Sequence, residues 1–276
     1  SKNYGNPLQN AINKAKMERN NIPQILSVCN QYSIPLTWAT VGHLFLNSCN
    51  PVNQIKHPEI KRLLNFENRF WKFNSNDWFE GDPCSNFKLN PEWYAPDLID
   101  IIISSKTKQE IACHTFSHID CSDNICPQDV LKSELDQCKT LAQEKNIELK
   151  SFVHPGHFIG NLKLLAEEGF TSFRTDYGDA LAYPVKHKEG IWEIKNTAEL
   201  YWRDGWNKNY HQYRFKKIID RSIANHSVCV FWFHPSFSPL FLQDVFPYIL
   251  EHLHNLKNTV LTCTTSEYID HLNKTL

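Results

Sequence analysis

The sequence predicts an α/β fold in which parallel strands alternate with helices and gather into a barrel-like domain. Short apolar runs rich in Val, Ile, Phe and Trp alternate with longer amphipathic segments, the order expected of βα units. Several of the strand candidates are continuous apolar runs, which suits a sheet buried on both faces. Three strands end in histidine, at Cys113-His114, Val153-His154 and Phe233-His234. In a parallel barrel all strand carboxyl ends meet on one rim, so residues far apart in sequence can share a site there.

The elements follow in order. Residues 7–20 fit a helix, and Pro23 is expected to open a second one, Gln24 to Tyr32, at the first-turn position where proline is tolerated. Leu36 to Thr40 reads as a strand, followed by a long loop carrying Trp71, Trp78, Asp82 and Pro83. A helix from Pro96 through Ile103 precedes the strand Glu110 to Cys113, and a helix from Pro127 to Lys145 follows. Ser151 to His154 is a strand ending at Pro155-Gly156, and Leu162 to Glu168 a short helix. Thr171 to Arg174 and Ile191 to Ile194 are strands, and Tyr210 to Asn225 a helix. The most apolar strand, Val228 to Phe233, runs into His234-Pro235. A helix from Leu240 to Leu256, a strand Thr259 to Thr262 and a helix from Ser266 complete the chain. No repeat, low-complexity tract or linker interrupts it, so residues 1–276 are read as one domain.

Composition narrows the function classes. Eight Trp, 10 Tyr and 17 Phe give the chain material for a sizeable core. A net charge of −1 with no basic block argues against a nucleic-acid partner. No apolar run reaches the roughly 18 residues that span a bilayer. The nine cysteines are odd in number and scattered, which favours reduced thiols and a cytosolic setting over a disulfide framework. Oligomeric state leaves no mark on the sequence.

The segment His114-Thr115-Phe116-Ser117-His118 carries the chemistry. Imidazole is the commonest nitrogen ligand for zinc-like ions. In an extended strand residues i and i+4 lie roughly 13 Å apart, too far to share an ion, whereas in a helical turn their Cβ atoms approach to about 5–6 Å. A shared ion therefore requires the chain to leave its strand at His114 and coil by His118. The competing reading is a pair of surface or packing histidines in a chain with 13 of them. Cys121 and Cys126 could add thiolates near His118, but four intervening residues and no second cysteine pair disfavour that site.

These segments resemble the polysaccharide deacetylase (NodB-homology) family of carbohydrate esterases, in particular its branch associated with surface-polysaccharide and O-antigen loci. Leu36 to Gly42 is similar to the second strand of that branch, and Ala95-Pro96-Asp97-Leu98-Ile99 to its following helix. Glu110 to His118 matches the metal motif His-Ser/Thr-x-x-His. Ser151 to His157 sits where the family has a proline-containing motif, and Phe231-Trp232-Phe233-His234-Pro235 where it has a catalytic histidine.

The resemblance implies a distorted (β/α)7-type barrel and a divalent ion, usually zinc, held by two histidines and an aspartate. It makes His114 and His118 metal ligands and His234 the catalytic acid. His154, Pro155, Gly156, His157, Arg174 and Trp202 are the candidates for contact with an N-acylated sugar or polysaccharide. The implied activity is removal of an N-acyl group, acetyl in the first instance, from an amino sugar. The alternatives are a carbohydrate-binding protein on a degenerate barrel, and a hydrolase of formamides or small cyclic amides.

Two departures from the pattern carry expectations of their own. The family's first motif is a strand ending in aspartate, which supplies the base and the third ligand, and residues 1–35 contain no aspartate. The natural chain is therefore expected to begin earlier, with its first strand absent here; otherwise the base is lacking. Asp77 and Asp82, beside Trp78, read as exposed loop residues rather than substitutes. The family's motif arginine is also missing, its place being held by Val153 or Gly156, so that His154, His157 or Arg174 must provide the positive charge. In another arrangement His154 or His157 is a third nitrogen ligand. Trp192 and Trp232 are expected in the core, while Trp202, Arg203, Asp204 and Trp206 look loop-borne and suited to a sugar.

Overall fold

The computed structural model describes residues 7–64, 77–176 and 181–275; Trp71, assigned above to the long loop, lies outside them. The first helix, α1 (Pro7–Tyr32), runs unbroken through Pro23, where the sequence predicted a fresh start. An interior proline costs about 3 kcal/mol. Ile22, Ile25, Leu26 and Cys29 are buried along this stretch, and Asn21 Nδ2 donates to the carbonyls of Pro235 and Phe237 at 2.8 and 3.0 Å. Packing on both sides of the proline overrides the local preference.

After α1 come β1 (Thr37–Thr40), α2 (Pro96–Ile103), β2 (Glu110–Cys113), α3 (Gln128–Glu144), β3 (Ser151–Val153), α4 (Leu162–Glu167) and β4 (Ser172–Thr175). Then follow β5 (Val185–Lys186), β6 (Trp192–Lys195), β7 (Ala198–Glu199), α5 (Lys208–Ala224), β8 (Phe231–Trp232), α6 (Phe246–Asn255) and α7 (Thr265–Thr275). The main sheet has the order β1-β2-β3-β4-β6-β5, parallel except where β5 pairs with β6. Parallel βα units with buried strands are what the apolar runs predicted: every residue of β2 and β3 is buried.

The chain leaving β6 changes partners. Asn196 N–H still donates to the Thr175 carbonyl, but Thr197 N–H donates to Val230, and β7 pairs in parallel with β8. The predicted strand Val228 to Phe233 is thereby reduced to two half-buried residues. Its apolar content is divided between two sides: Phe231 meets Phe215 of α5 and Phe233 meets Phe246 of α6, while Val230 packs against Trp192, Ile194 and Ile269. The predicted strand Thr259 to Thr262 does not form, because the amides of Thr259 and Val260 turn back onto the Leu256 carbonyl at the end of α6. Among the described residues no ladder joins β8 to β1, so the barrel wall is open there.

One buried carboxylate ties down the amino-terminal ends of the strands. Glu110 accepts from Thr37 Oγ1, Ser151 Oγ and the Ser266 N–H that opens α7, a placement favoured by the positive end of the helix. The opposite ends, where β2, β3, β4 and β8 finish, are left free to carry loops. No helix among the described residues is long and apolar enough to cross a membrane.

Candidate active site at the carboxyl ends of the strands

The chain coils at His114 as the spacing required, though not through a helical turn. Thr115 and His118 both adopt left-handed backbone conformations, with φ of 57° and 61°, which cost of order 1–3 kcal/mol each in a non-glycine residue. Together they bring the His114 and His118 rings to 4.7 Å between centroids, edge to face. The loop is held on every side. Gly42 and His43 N–H groups donate to the carbonyls of Thr115 and Phe116, Trp78 Nε1 to that of Ser117, and Thr115 Oγ1 accepts from Ile119 N–H. Gly42 is obligatory for this approach: a Cβ there would lie 2.7 Å from Cys138 Sγ and 3.1 Å from Phe116 Cα.

Glu134, reaching up from α3, completes the clamp. Its two oxygens accept from Ser117 N–H at 2.7 Å and Ser117 Oγ at 2.6 Å. Burial pushes its pKa up, and the Ser117 bonds oppose the shift. Glu134→Ala would leave the half-buried Ser117 N–H without this acceptor, beside His118. It is expected to lower stability by about 1–3 kcal/mol, read as a fall in the urea midpoint at unchanged slope.

His114 Nδ1 lies 2.6 Å from the Val153 carbonyl. A carbonyl only accepts, so Nδ1 carries the proton and Nε2 presents its lone pair. Burial, then the charges of His118, Arg174 and His234, depress the His114 pKa well below the imidazole range. Burial, with a contribution from His234, brings His118 down to about 4. Both rings are therefore neutral at pH 7, the form that binds metals.

Four further side chains converge on the pair. Arg174 on β4 stacks over Trp232, its guanidinium 5.3 Å from the ring centroid; burial lowers it to about 10, so it stays charged at pH 7. Its Nε has no hydrogen-bond partner among the described residues. His157 lies 5.3 Å and His234 5.6 Å from the same Trp232 ring. Displacement of water, then the charges of Arg174, Lys14 and His157, lower the pKa of His234. The turn Pro155–His157, with Gly156 at φ 58° and His157 at φ 62°, aims His157 at the group.

The other candidates lie elsewhere. His154 shares a strand face with Phe152, packs between Phe152 and Phe173 and points Nε2 at the Gly160 carbonyl, 3.0 Å away. It is a core histidine. Trp202 stacks on His211 at 4.6 Å, and Trp206 meets Tyr210 and Arg203; among the described residues neither makes a ring contact with His114, His118, His157 or His234. Trp232, expected in the core, is the tryptophan that faces the site, whereas Trp192 is buried against α7. Asp77 pairs with Arg62 at 2.9 Å, and Asp82 is 4% exposed rather than a loop-surface residue. Cys121 and Cys126 are buried, their thiols directed at backbone carbonyls.

One residue escaped the sequence reading. Asp176 directly follows β4, and its Oδ2 lies 3.6 Å from His157 Nε2. Its strand-end position was the available signal, the same that marked His114.

For a divalent ion, His114 and His118 supply two neutral imidazoles of the right kind, and His114 Nε2 is free to ligate. Among the described residues no third His, Cys, Asp or Glu joins them in a metal-holding group. The pair fits as half of a site.

The chain has the fold of NodB-like deacetylase barrels. It is similar over 92% of its length to the structure described as a polysaccharide deacetylase from Mycobacterium smegmatis, covering 77% of that chain with a TM-score of 0.60 at 13% identity. PuuE allantoinase matches at a TM-score of 0.57 and 14% identity, over 92% of this chain and 72% of the other. No protein-family model matches the sequence, and no curated protein does.

Proposed function

We propose that the protein is a metal-dependent hydrolase that removes an N-acyl group, acetyl in the first instance, from an amino sugar of a polysaccharide or its precursor. The observation that carries this reading is the pair of neutral imidazoles, His114 and His118, held 4.7 Å apart at strand ends by a fully bonded loop. A zinc-type ion bound there would polarise an amide carbonyl and make a nucleophile of water at neutral pH. Arg174, charged and short of a partner, is placed to stabilise negative charge on the carbonyl oxygen. Trp232 offers an apolar face to a pyranose ring. His234 would take up the proton lost by the attacking water and pass it to the leaving amine, its lowered pKa favouring that release.

The chemistry is tested on the full chain with N-acetylated amino sugars and their oligomers as substrates. His234→Gln is expected to lower turnover by about 10²–10⁴ while bound metal stays unchanged; loss of metal would make His234 a ligand instead. The likeness to an allantoinase supports a second reading, hydrolysis of a small cyclic amide. Activity on such amides with none on sugars would favour it, and binding of sugars without turnover would favour a lectin-like role.

A further inference from the structure

Between β1 and α2 the described residues 46–64 and 77–95 form turns and isolated bridges, without a helix or strand. A stretch of this length with so little secondary structure needs an ordering element. Its buried centre is polar. His43, His57 and Asp82 are each less than 9% exposed, and Cys49 lies beside them.

The hydrogen-bond geometry of this cluster does not balance. His43 Nδ1 is 3.0 Å from the Trp93 carbonyl and His57 Nδ1 is 3.3 Å from Glu59 Oε1. Both partners only accept, so both Nδ1 atoms carry protons and each neutral ring presents a lone pair at Nε2. Those two Nε2 atoms converge on one oxygen, Asp82 Oδ2, at 2.9 and 2.6 Å. Three lone-pair donors cannot face one another in a buried setting without a cation between them. Protonating both rings, their centroids 5.0 Å apart, would set two adjacent buried cations against Asp82, with the second charge balanced only by the exposed Glu59 carboxylate. One divalent ion accepts all three lone pairs.

A fourth donor is in place. Cys49 Sγ is 3.7 Å from Asp82 Oδ2, and the four ligand atoms all lie within 4.8 Å of one another. Edges of a tetrahedron built on zinc–nitrogen, –oxygen and –sulfur bonds are about 3.3–3.8 Å, so the two short contacts need open by only about 1 Å. The surroundings have the form of an outer ligand shell. Each imidazole donates its other N–H, and Asp82 Oδ1 accepts from Cys84 N–H at 2.8 Å and Tyr94 Oη at 3.3 Å.

We propose that His43 Nε2, Cys49 Sγ, His57 Nε2 and Asp82 Oδ2 bind a structural ion of zinc type, in a second site separate from the His114–His118 pair. Two nitrogens, a thiolate and one carboxylate oxygen select zinc over magnesium or calcium, and four protein ligands close the coordination sphere. The site lies behind the rim. The Phe116 ring, from the loop between His114 and His118, packs 5.7 Å from His43 and 5.3 Å from His57, so the ion would brace the loop that carries the rim histidines.

The test uses the full chain loaded with zinc, and with cobalt as a spectroscopic probe. The cobalt protein is expected to have a thiolate-to-cobalt charge-transfer band and the intense visible bands of tetrahedral coordination. In His118→Ala, which leaves the second site intact, one ion and the charge-transfer band should persist; Cys49→Ala should abolish the band and weaken binding at this site at least 10-fold. A folded wild-type chain whose cobalt form lacks any thiolate band overturns the proposal, as does a Cys49–Cys84 disulfide in the protein isolated under reducing conditions. A chain holding a single, thiolate-bound ion supports the second site and counts against the rim pair instead.

Discussion

A His118→Ala protein is expected to lose one bound ion and about 10³-fold or more of its turnover on an N-acetylated amino sugar, while keeping its fold. The activity loss follows from what the ion contributes: Lewis-acid stabilisation of several kcal/mol, at about 1.4 kcal/mol per tenfold in rate. Stability should fall only modestly, because His118 is half-buried at the rim, although alanine fits its left-handed backbone at φ 61° less well than histidine. Asparagine tolerates that conformation better than alanine, so His118→Asn is the companion variant. Metal content per chain and kcat on the same preparation decide the matter. An alanine variant with full metal content and unchanged turnover would remove His118 from the chemistry.

The largest effect on stability is expected from Phe116→Ala. Phe116 is fully buried, and its ring meets His43, His57 and Phe79 at 5.7, 5.3 and 6.3 Å. Phe→Ala in a core costs about 3–5 kcal/mol through lost burial and the cavity left behind, against a total of about 5–15 kcal/mol for a typical protein. A further consequence follows from where this residue sits. Its backbone belongs to the His114–His118 loop, and its carbonyl accepts from His43 N–H at 2.9 Å, so the mutant should lose activity even where it remains folded. A chemical-denaturation midpoint measured beside kcat separates the two effects. A midpoint within about 0.5 kcal/mol of wild type, the range of an ordinary surface substitution, would mean that this packing is not as the structure has it.

Much of the architecture was legible because it is encoded locally. α2 opens on Pro96 and closes at Ile103, and β2 spans Glu110 to Cys113, as their apolar runs and flanking residues predict. The exceptions have tertiary causes. Pro23 sits inside α1 because contacts on both sides outweigh its helix-breaking cost. Val228 to Phe233 shrinks to a two-residue strand because its ladder partner among the described residues, β7, is two residues long, with a single further bridge from Val228 to Ala182. The open wall between β8 and β1 depends on which strands find partners, which no local pattern specifies.

The candidate site divides in the same way. The sequence by itself determined that His114 and His118 could share an ion only if the chain coils between them, and the chain does coil there. It also placed Arg174 near a strand end. Tertiary structure decided which strand-end residues face the rim: alternation put His154 into the core with Phe152, and the turn Pro155–His157 delivered His157 in its place. It alone assembled His43, Cys49, His57 and Asp82, whose irregular spacing across a long loop carries no periodic signal. The physical reason is one of range. Backbone sterics and side-chain period act over a few residues and can be read along the chain, whereas the direction a side chain faces, and what waits there, is set by contacts between segments far apart in sequence.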